Sequence, residues 1–140
     1  MRNEIDQTLA DSDAKFFFSN EMFRNLQNEI ENTGYVFVQL VSDSMSPVLK
    51  TGDAAIAKPI KDHNRIKKFD ILVFFDGEKL LCHYFVGRSS FKDADGVELY
   101  LTRGLSAREF DLPVRKDHVL GKVEKKIPFL LKLKELFKDN

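Results

Sequence analysis

Hydrophobic residues near the start of the chain recur at helical spacing among Glu, Asn, Arg and Gln residues. They are Phe16, Phe23, Leu26 and Ile30. Apolar positions three, four and seven residues apart form one face of a helix, and Gly34 follows as a natural helix end because glycine accepts a positive φ. The pattern predicts an amphipathic helix, or a pair of helices, within residues 1–34.

From Tyr35 onward the pattern changes to short apolar runs separated by turn residues. Val, Ile, Phe and Leu dominate these runs, which is typical of strands. The runs are YVFVQLV, DAAIAKPI, FDILVFF, KLLCHYFVG, VELYLTR and HVLGKVEKKI. They predict a mostly antiparallel β domain of about six strands over residues 35–126.

Two turns predict part of the topology. Asp76-Gly77 separates ILVFF from KLLCHYF, and Asp-Gly is typical of a two-residue hairpin because both central positions need a positive φ. The sequence KDADG, residues 92–96, joins the next two runs through a longer loop. Three consecutive strands are therefore expected to form an antiparallel meander.

The last 14 residues, IPFLLKLKELFKDN, predict a C-terminal amphipathic helix over residues 127–140. Its apolar face combines Phe129, Leu130, Leu133, Leu136 and Phe137, and lysines lie elsewhere. Such a helix packs on its own domain, on a partner or on a membrane surface. With the N-terminal helix and the β domain it gives one globular domain, mainly β with flanking helices.

Composition and charge narrow the functional classes. The chain has 140 residues, enough for one domain with a substantial core, and its 22 basic and 22 acidic side chains balance. No net field attracts nucleic acid, so no nucleic-acid partner is expected. The longest clean apolar run, ILVFF, is far shorter than the roughly 18 to 20 residues of a membrane span.

The N-terminal sequence and the cysteine content both bear on the expected location of the protein. The N-terminus is polar and acidic, unlike a secretory signal, so the mature chain is expected to begin near Met1. Cys82 is the only cysteine, which excludes an internal disulfide and favours a reducing compartment. The expected location is cytoplasmic or peripheral to a membrane.

The first chemical candidate is Ser44, in the stretch LVSDSMSPVLKTGD. It follows a strand directly, Pro47 prevents an immediate helix, and Gly52-Asp53 turns the chain toward the next strand. The hydroxyl is therefore expected in a constrained, exposed loop. An ordinary turn serine explains the pattern equally well unless a base lies nearby.

His83 is the candidate base. Strand alternation places it on one face with Leu81 and Phe85, so the imidazole is expected to be partly buried and to need a hydrogen-bond partner. A structural histidine bound by backbone groups is the alternative. The neighbouring Cys82 faces the opposite way, and the other histidines show no ligand-like spacing, so neither a metal nor another cofactor is expected.

Asp111, in GLSAREFDLPV, is the third candidate residue, after Ser44 and His83. A carboxylate beside an imidazole fixes its tautomer and favours its cationic form during proton transfer. A solvated loop aspartate is the ordinary alternative. The chain order serine, histidine, aspartate is acceptable because the order in such triads varies between folds.

Taken together and in order, these segments resemble the superfamily of signal peptidases and LexA-type self-cleaving repressors. SDSMSPVLKTGD is similar to its nucleophile box, KKFDILVFF to a strand that usually reads Gly-Asp-Ile-Val-Val-Phe, LLCHYFVGR to the segment with the general base, and LYLTRGLSAREFD and DHVLGKV to its closing boxes. The resemblance spans Tyr35 to Val123. Correct order across several motifs is more specific than any one of them.

The resemblance implies coiled antiparallel β-sheets of the LexA/signal peptidase type and a serine nucleophile, Ser44. A histidine at the base position, His83, is similar to the archaeal and endoplasmic-reticulum signal peptidases rather than to the Ser-Lys enzymes. Asp111 matches an acidic position of the family. Backbone groups around Ser42 and Met45 are expected to bind substrate and the oxyanion.

Three residues depart from the family pattern. Phe69 replaces the glycine before the Asp-Ile strand, Tyr84 replaces the arginine that usually follows the base, and Leu105 replaces the acidic residue of Thr-Lys-Gly-Asp. A soluble amphipathic helix also stands where signal peptidases carry a membrane anchor. These differences point to an altered substrate or a lost activity.

The sequence thus predicts a serine endopeptidase that cleaves a peptide or leader segment in trans by a Ser-His mechanism, with the substrate bound as an added strand. Self-processing is disfavoured because no Ala-Gly or Cys-Gly dipeptide occurs in the chain. The alternative is a non-catalytic peptide- or protein-binding module that retains the peptidase fold.

Overall fold

The computed structural model describes residues 9–10, 19–40, 44–105 and 110–127. These ranges contain one α-helix, two single-turn 3-10 helices and eight strands in one sheet. The helix, α1, is Asn20–Thr33. The strands are β1 Leu9–Ala10, β2 Val36–Leu40, β3 Ala54–Lys58, β4 Ile71–Phe75, β5 Leu80–Lys92, β6 Glu98–Arg103, β7 Val114–Arg115 and β8 Val119–Ile127. The protein is therefore mainly β, as the sequence predicts.

Helix α1 has well-defined caps at both ends. The Ser19 hydroxyl accepts a hydrogen bond from the Met22 N–H at 3.1 Å, and Gly34 has φ of 85° and donates its N–H to the Ile30 carbonyl at 2.8 Å. The buried residues of the helix are Phe23, Leu26 and Ile30. The predicted apolar face and glycine stop are confirmed, whereas Phe16 lies outside the described residues.

The sheet has the strand order β1-β2-β3-β8-β4-β5-β6-β7. All neighbours from β2 to β7 pair antiparallel, while β1 is parallel to β2 and also pairs, in parallel, with β5. Since β3, β8 and β4 separate β2 from β5 in the sheet, one strand can reach both only if the sheet curls. The curl brings the end of β2 close to β5.

The predicted meander is present, but its first turn differs from the expectation. Strands β4, β5 and β6 pair antiparallel in sequence order. Phe75 pairs with Leu80, so the turn has four residues, 76–79, and of these only Gly77 has a positive φ, 101°. The Asp76 carboxylate accepts hydrogen bonds from the backbone N–H groups of Glu78 and Lys79, at 2.9 Å each. These bonds stabilise the longer turn. The two-residue hairpin prediction was wrong for this reason.

The sheet buries apolar side chains on both faces. One face of β4 and β5, including Val73, Phe75 and Cys82, packs with the apolar side of α1. The opposite face, including Leu81 and Phe85, belongs to a second cluster. The remaining members of that cluster are Ile66, Leu72, Phe74, Tyr100, Val114 and Val119. Alternation along β5 is as predicted.

The structure adds two strands to the six expected and changes one boundary. Strands β1 and β7 have two residues each, too few for a recognisable pattern. Ile127, expected to start the C-terminal helix, is the last residue of β8. The rest of that predicted helix, 128–140, lies outside the described residues. In the described ranges no helix has the length and hydrophobicity needed to span a membrane.

Candidate active site

Ser44 opens the turn over residues 44–48 that follows β2. The Ser46–Pro47 peptide bond is cis, and across this turn the Leu49 N–H donates to the Met45 carbonyl at 2.9 Å. The side chains of Met45 and Leu49 are buried in the cluster that packs against α1. The loop is therefore anchored in the core on both sides of Pro47.

The Gly52-Asp53 turn returns the chain to β3. Gly52 has φ of 92°, a conformation that favours glycine. Asp53 is buried; its carboxylate accepts the Lys50 N–H at 2.9 Å and its own N–H donates to the Lys50 carbonyl at 2.9 Å. This reciprocal pair fixes the path of the loop that carries Ser44.

Ser44 and His83 are brought together by the curl of the sheet. The Oγ of Ser44 lies 3.1 Å from Nε2 of His83, which is in β5. The His83 side chain is only 9% exposed, and its ring lies edge-on to that of Phe74 at a centroid distance of 6.1 Å. The imidazole is thus held on an apolar wall with one nitrogen at the serine.

The other nitrogen of His83 faces Asp111. Nδ1 lies 2.6 Å from Oδ2 of Asp111, whose side chain is 23% exposed. An ionised carboxylate only accepts hydrogen bonds, so this contact places the proton on Nδ1 and leaves Nε2 to accept the hydrogen bond of the Ser44 hydroxyl. Serine, imidazole and carboxylate form one continuous hydrogen-bonded chain.

Thr102, in β6, completes this chain and was missed by the sequence analysis. Its hydroxyl donates to Oδ2 of Asp111 at 2.7 Å, and its carbonyl accepts the Asp111 N–H at 2.9 Å. Thr102 is fully buried. Strand alternation places Thr102 on the face of Tyr100, and a buried hydroxyl needs a partner, so the sequence held a signal that this threonine binds another polar group.

Gly104 was missed as well. A Cβ at this position would lie 3.2 Å from the Ser44 carbonyl oxygen and 3.3 Å from Nε2 of His83. Contacts this short require a neighbour to move by a few tenths of an ångström. The absence of a side chain at 104 therefore leaves room for the Ser44–His83 contact.

The two residues expected around the oxyanion have different outcomes. Ser42 lies outside the described residues. Met45 is 2% exposed, and its side chain packs with the core, so the side chain is not available to a substrate.

A cleft with a volume of about 720 Å³ opens at the triad. Ser44, His83 and Asp111 line it, together with apolar side chains of β4, β5 and β7 that include Phe74, Leu81 and Val114. Cationic and ring side chains also contribute, namely Lys79, Arg115 and His118. This volume lies within the range of about 300–1,000 Å³ that is usual for ligand-binding clefts.

The three residues that differ from the motifs which the sequence resembles line one mainly apolar cavity of about 360 Å³. They are Phe69, Tyr84 and Leu105, and Phe110 and Gly104 also contribute. Phe69 has φ of 75°, in the left-handed region, and its ring is edge-on to that of Tyr84 at 5.7 Å. Gly104 lines this cavity and lies beside Ser44 and His83, since a Cβ added to it would be within 3.2 and 3.3 Å of these two residues.

The other two histidines have separate partners. Nδ1 of His63 lies 2.7 Å from the Tyr100 hydroxyl, and the His118 ring packs edge-on against Phe75. Burial, and then the nearby charge of Lys116, lower the pKa of His63, while burial raises the pKa of Tyr100. Over the described ranges, no group of three or more His, Cys, Asp or Glu side chains is arranged to hold a metal ion.

Comparison with known proteins adds no relative. No family model matches the chain, and no match is found among curated proteins.

Proposed function

We propose that this protein is a serine endopeptidase with Ser44 as nucleophile, His83 as general base and Asp111 as the carboxylate that orients the base. The observation that carries the proposal is the pair of contacts on one imidazole, 3.1 Å to Ser44 Oγ and 2.6 Å to Asp111 Oδ2. Both lie within the reach required for proton transfer. Ser44 lies in the loop after β2, His83 in β5 and Asp111 in the segment after β6. Because these segments are far apart in the sequence, local structure alone does not bring the three residues together.

The geometry supports an acyl-transfer mechanism. Ser44 Oγ attacks the scissile carbonyl carbon as its proton passes to Nε2 of His83. The C–N bond then breaks, and the imidazolium returns the proton to the leaving amine. A water molecule, deprotonated by His83, hydrolyses the acyl-enzyme and regenerates Ser44. Asp111 stabilises the imidazolium in both steps.

The Met45 N–H, next to the nucleophile, is the candidate oxyanion donor, because a backbone donor beside the attacking oxygen lies near the carbonyl oxygen that becomes negative. The backbone of Ser42 is the second candidate.

The peptide is proposed to bind as an added strand, in a fold of the LexA/signal peptidase type. Strands β2 and β5, which lead to Ser44 and carry His83, already pair with a third strand, β1. Their edges therefore accept an extended chain between them, as β-strand addition requires.

A non-catalytic binding module is the second candidate, and the apolar cavity around Phe69 favours it. An exposed aromatic ring in a left-handed backbone conformation is unusual for a residue that only fills space. Binding of a partner segment explains such a surface without any chemistry at Ser44.

Hydrolysis of a peptide library by the purified full chain, together with labelling by a fluorophosphonate, tests the proposal. Wild type should be labelled and should cleave, while Ser44→Ala and His83→Ala should lose at least about 10³-fold in kcat/KM. Ser46→Ala, a matched loss of a hydroxyl in the same loop, should retain activity. Equal cleavage by all four proteins would exclude the mechanism. Peptide binding without cleavage or labelling in wild type would favour the binding module.

A further inference from the structure

Strand β1 has an unusual position in the sheet. Leu9 and Ala10 pair with Gln39 and Leu40 of β2, and Ala10 also pairs with Leu80 of β5, all in parallel orientation. Both edges of this two-residue strand are therefore directed at strands of the proposed active site.

The register places β1 just ahead of the triad. Ala10 is opposite Leu40, four residues before Ser44, and opposite Leu80, three residues before His83. Strand β1 runs parallel to both partners. All three strands therefore run in the direction in which β2 leads to Ser44 and β5 leads to His83. An extended peptide added between β2 and β5 would use the same backbone N–H and C=O groups that β1 uses.

We infer that β1 is an intramolecular occupant of the peptide groove, which a substrate peptide has to displace. The inference rests on the proposed function, in which the substrate peptide binds in the groove between β2 and β5.

Displacement is feasible because the two described residues of β1 form three residue pairs with β2 and β5. Because β1 belongs to the same chain as β2 and β5, it competes with a free peptide intramolecularly. A peptide several residues long pairs with more of β2 and β5 than β1 does and can replace it. The occupant therefore raises the apparent KM for a substrate peptide and leaves kcat unchanged.

The substitution Ala10→Pro in the full chain tests the inference, since proline lacks the N–H and cannot form the same pairing. Ala94→Pro is the matched control. Ala94 follows Asp93, whose carbonyl accepts the Gly96 N–H at 3.0 Å, and this second position of a β-turn is where proline is favoured. We expect Ala10→Pro to lower KM about 3-fold to 10-fold at constant kcat, which corresponds to occupation of the groove by β1 for about 70% to 90% of the time, and Ala94→Pro to match wild type. Equal KM values in all three proteins overturn the inference.

Hydrogen–deuterium exchange provides a readout that needs no catalysis. Segments covering 36–40 and 80–82 should exchange faster in Ala10→Pro than in wild type, whereas Ala94→Pro should leave them unchanged. Unchanged exchange in Ala10→Pro overturns the occupancy. Faster exchange without peptide hydrolysis in any protein keeps the occupancy and removes the proposed peptidase activity, so the two failures are distinguishable.

Discussion

Nδ1 of His83 and Oδ2 of Asp111 lie 2.6 Å apart, and that carboxylate oxygen also accepts the Thr102 hydroxyl. The contact fixes which nitrogen of the imidazole carries the proton and which one faces Ser44. The orientation of His83 therefore depends on residues from two other segments of the chain.

Asp111→Asn should abolish most of the proposed activity. An amide can present its NH₂ group to Nδ1, which favours the tautomer with the proton on Nε2, where it cannot accept the Ser44 proton. A fall in kcat of about 10²-fold to 10⁴-fold is expected, by analogy with the loss of the carboxylate in other serine triads. Steady-state kinetics on a cleavable peptide measure it, and thermal unfolding serves as the control for folding. An unchanged kcat would contradict the role of Asp111.

Thr102→Val should lower kcat by about 10-fold, since a hydrogen bond to a charged group is worth about 1.5 to 3 kcal/mol and Asp111 keeps its contact with His83. Thr102→Ser keeps the hydroxyl and should restore most of the rate. The comparison distinguishes positioning of Asp111 from packing, because both variants alter the same buried site. A rate in Thr102→Ser as low as in Thr102→Val would show that the methyl group, rather than the hydrogen bond, matters.

Gly104→Ala should reduce activity without unfolding the protein. The new Cβ meets the Ser44 carbonyl and Nε2 of His83 at 3.2 and 3.3 Å and so separates the two residues slightly. A loss of about 10-fold in kcat is expected, given that misplacement by 1 Å can cost about 10²-fold. Gly87→Ala is the matched control, because no atom lies within 4 Å of its added Cβ. Equal losses of kcat in the two variants would argue against a specific role for Gly104.

Phe69→Gly should be more stable than Phe69→Ala. Both variants remove a ring that is 64% exposed, but only glycine adopts φ of 75° without strain. The difference in the free energy of unfolding should be about 1 to 2 kcal/mol, the usual cost of the left-handed conformation for residues with a Cβ. Denaturant unfolding of the pair measures this difference. An alanine variant as stable as the glycine variant would mean that the backbone at 69 relaxes.

His63 should make stability depend on pH. Its pKa is lowered in the folded state, chiefly by burial, so the unfolded chain binds a proton more readily. The free energy of unfolding should therefore decrease as the pH falls below about 6.5, the ordinary pKa of histidine. His63→Gln lacks this group and should lose less stability between pH 7 and 5. Parallel curves for the two proteins would contradict the prediction.

Local patterns were sufficient to predict the mainly β class, helix α1 and three residues that the structure brings into contact, namely Ser44, His83 and Asp111. Helical spacing gave α1 with its Gly34 end, and period-two alternation placed His83 on the apolar face with Leu81 and Phe85. The motif order singled out Ser44 among neighbouring serines. These are properties of short segments, in which the residues that determine the structure are close together in sequence.

Local patterns could not predict the distances between Ser44, His83 and Asp111. Ser44 is 39 residues from His83, and His83 is 28 residues from Asp111. Their contact depends on the curl of the sheet and on β8 lying between β3 and β4, which no local pattern encodes. Thr102 was overlooked because its partner is on another segment. The prediction of a two-residue turn after β4 was wrong because the hydrogen bonds to the Asp76 carboxylate stabilise a four-residue turn, although Asp-Gly favours the shorter one.

The central position of β8 has a consequence for how the protein folds. Ser44 belongs to the β2–β3 half of the sheet, whereas His83 and Asp111 belong to the β4–β7 half, and β8 pairs with both β3 and β4. Among the described strands, only β8 and the short β1 pair with both halves, and β8 follows all the other described strands in the sequence. Contacts of such long sequence separation form late in folding. A chain synthesised only as far as β7 lacks the strand that pairs with both halves, so the contact between Ser44 and His83 is expected to form only after residue 127 has been synthesised.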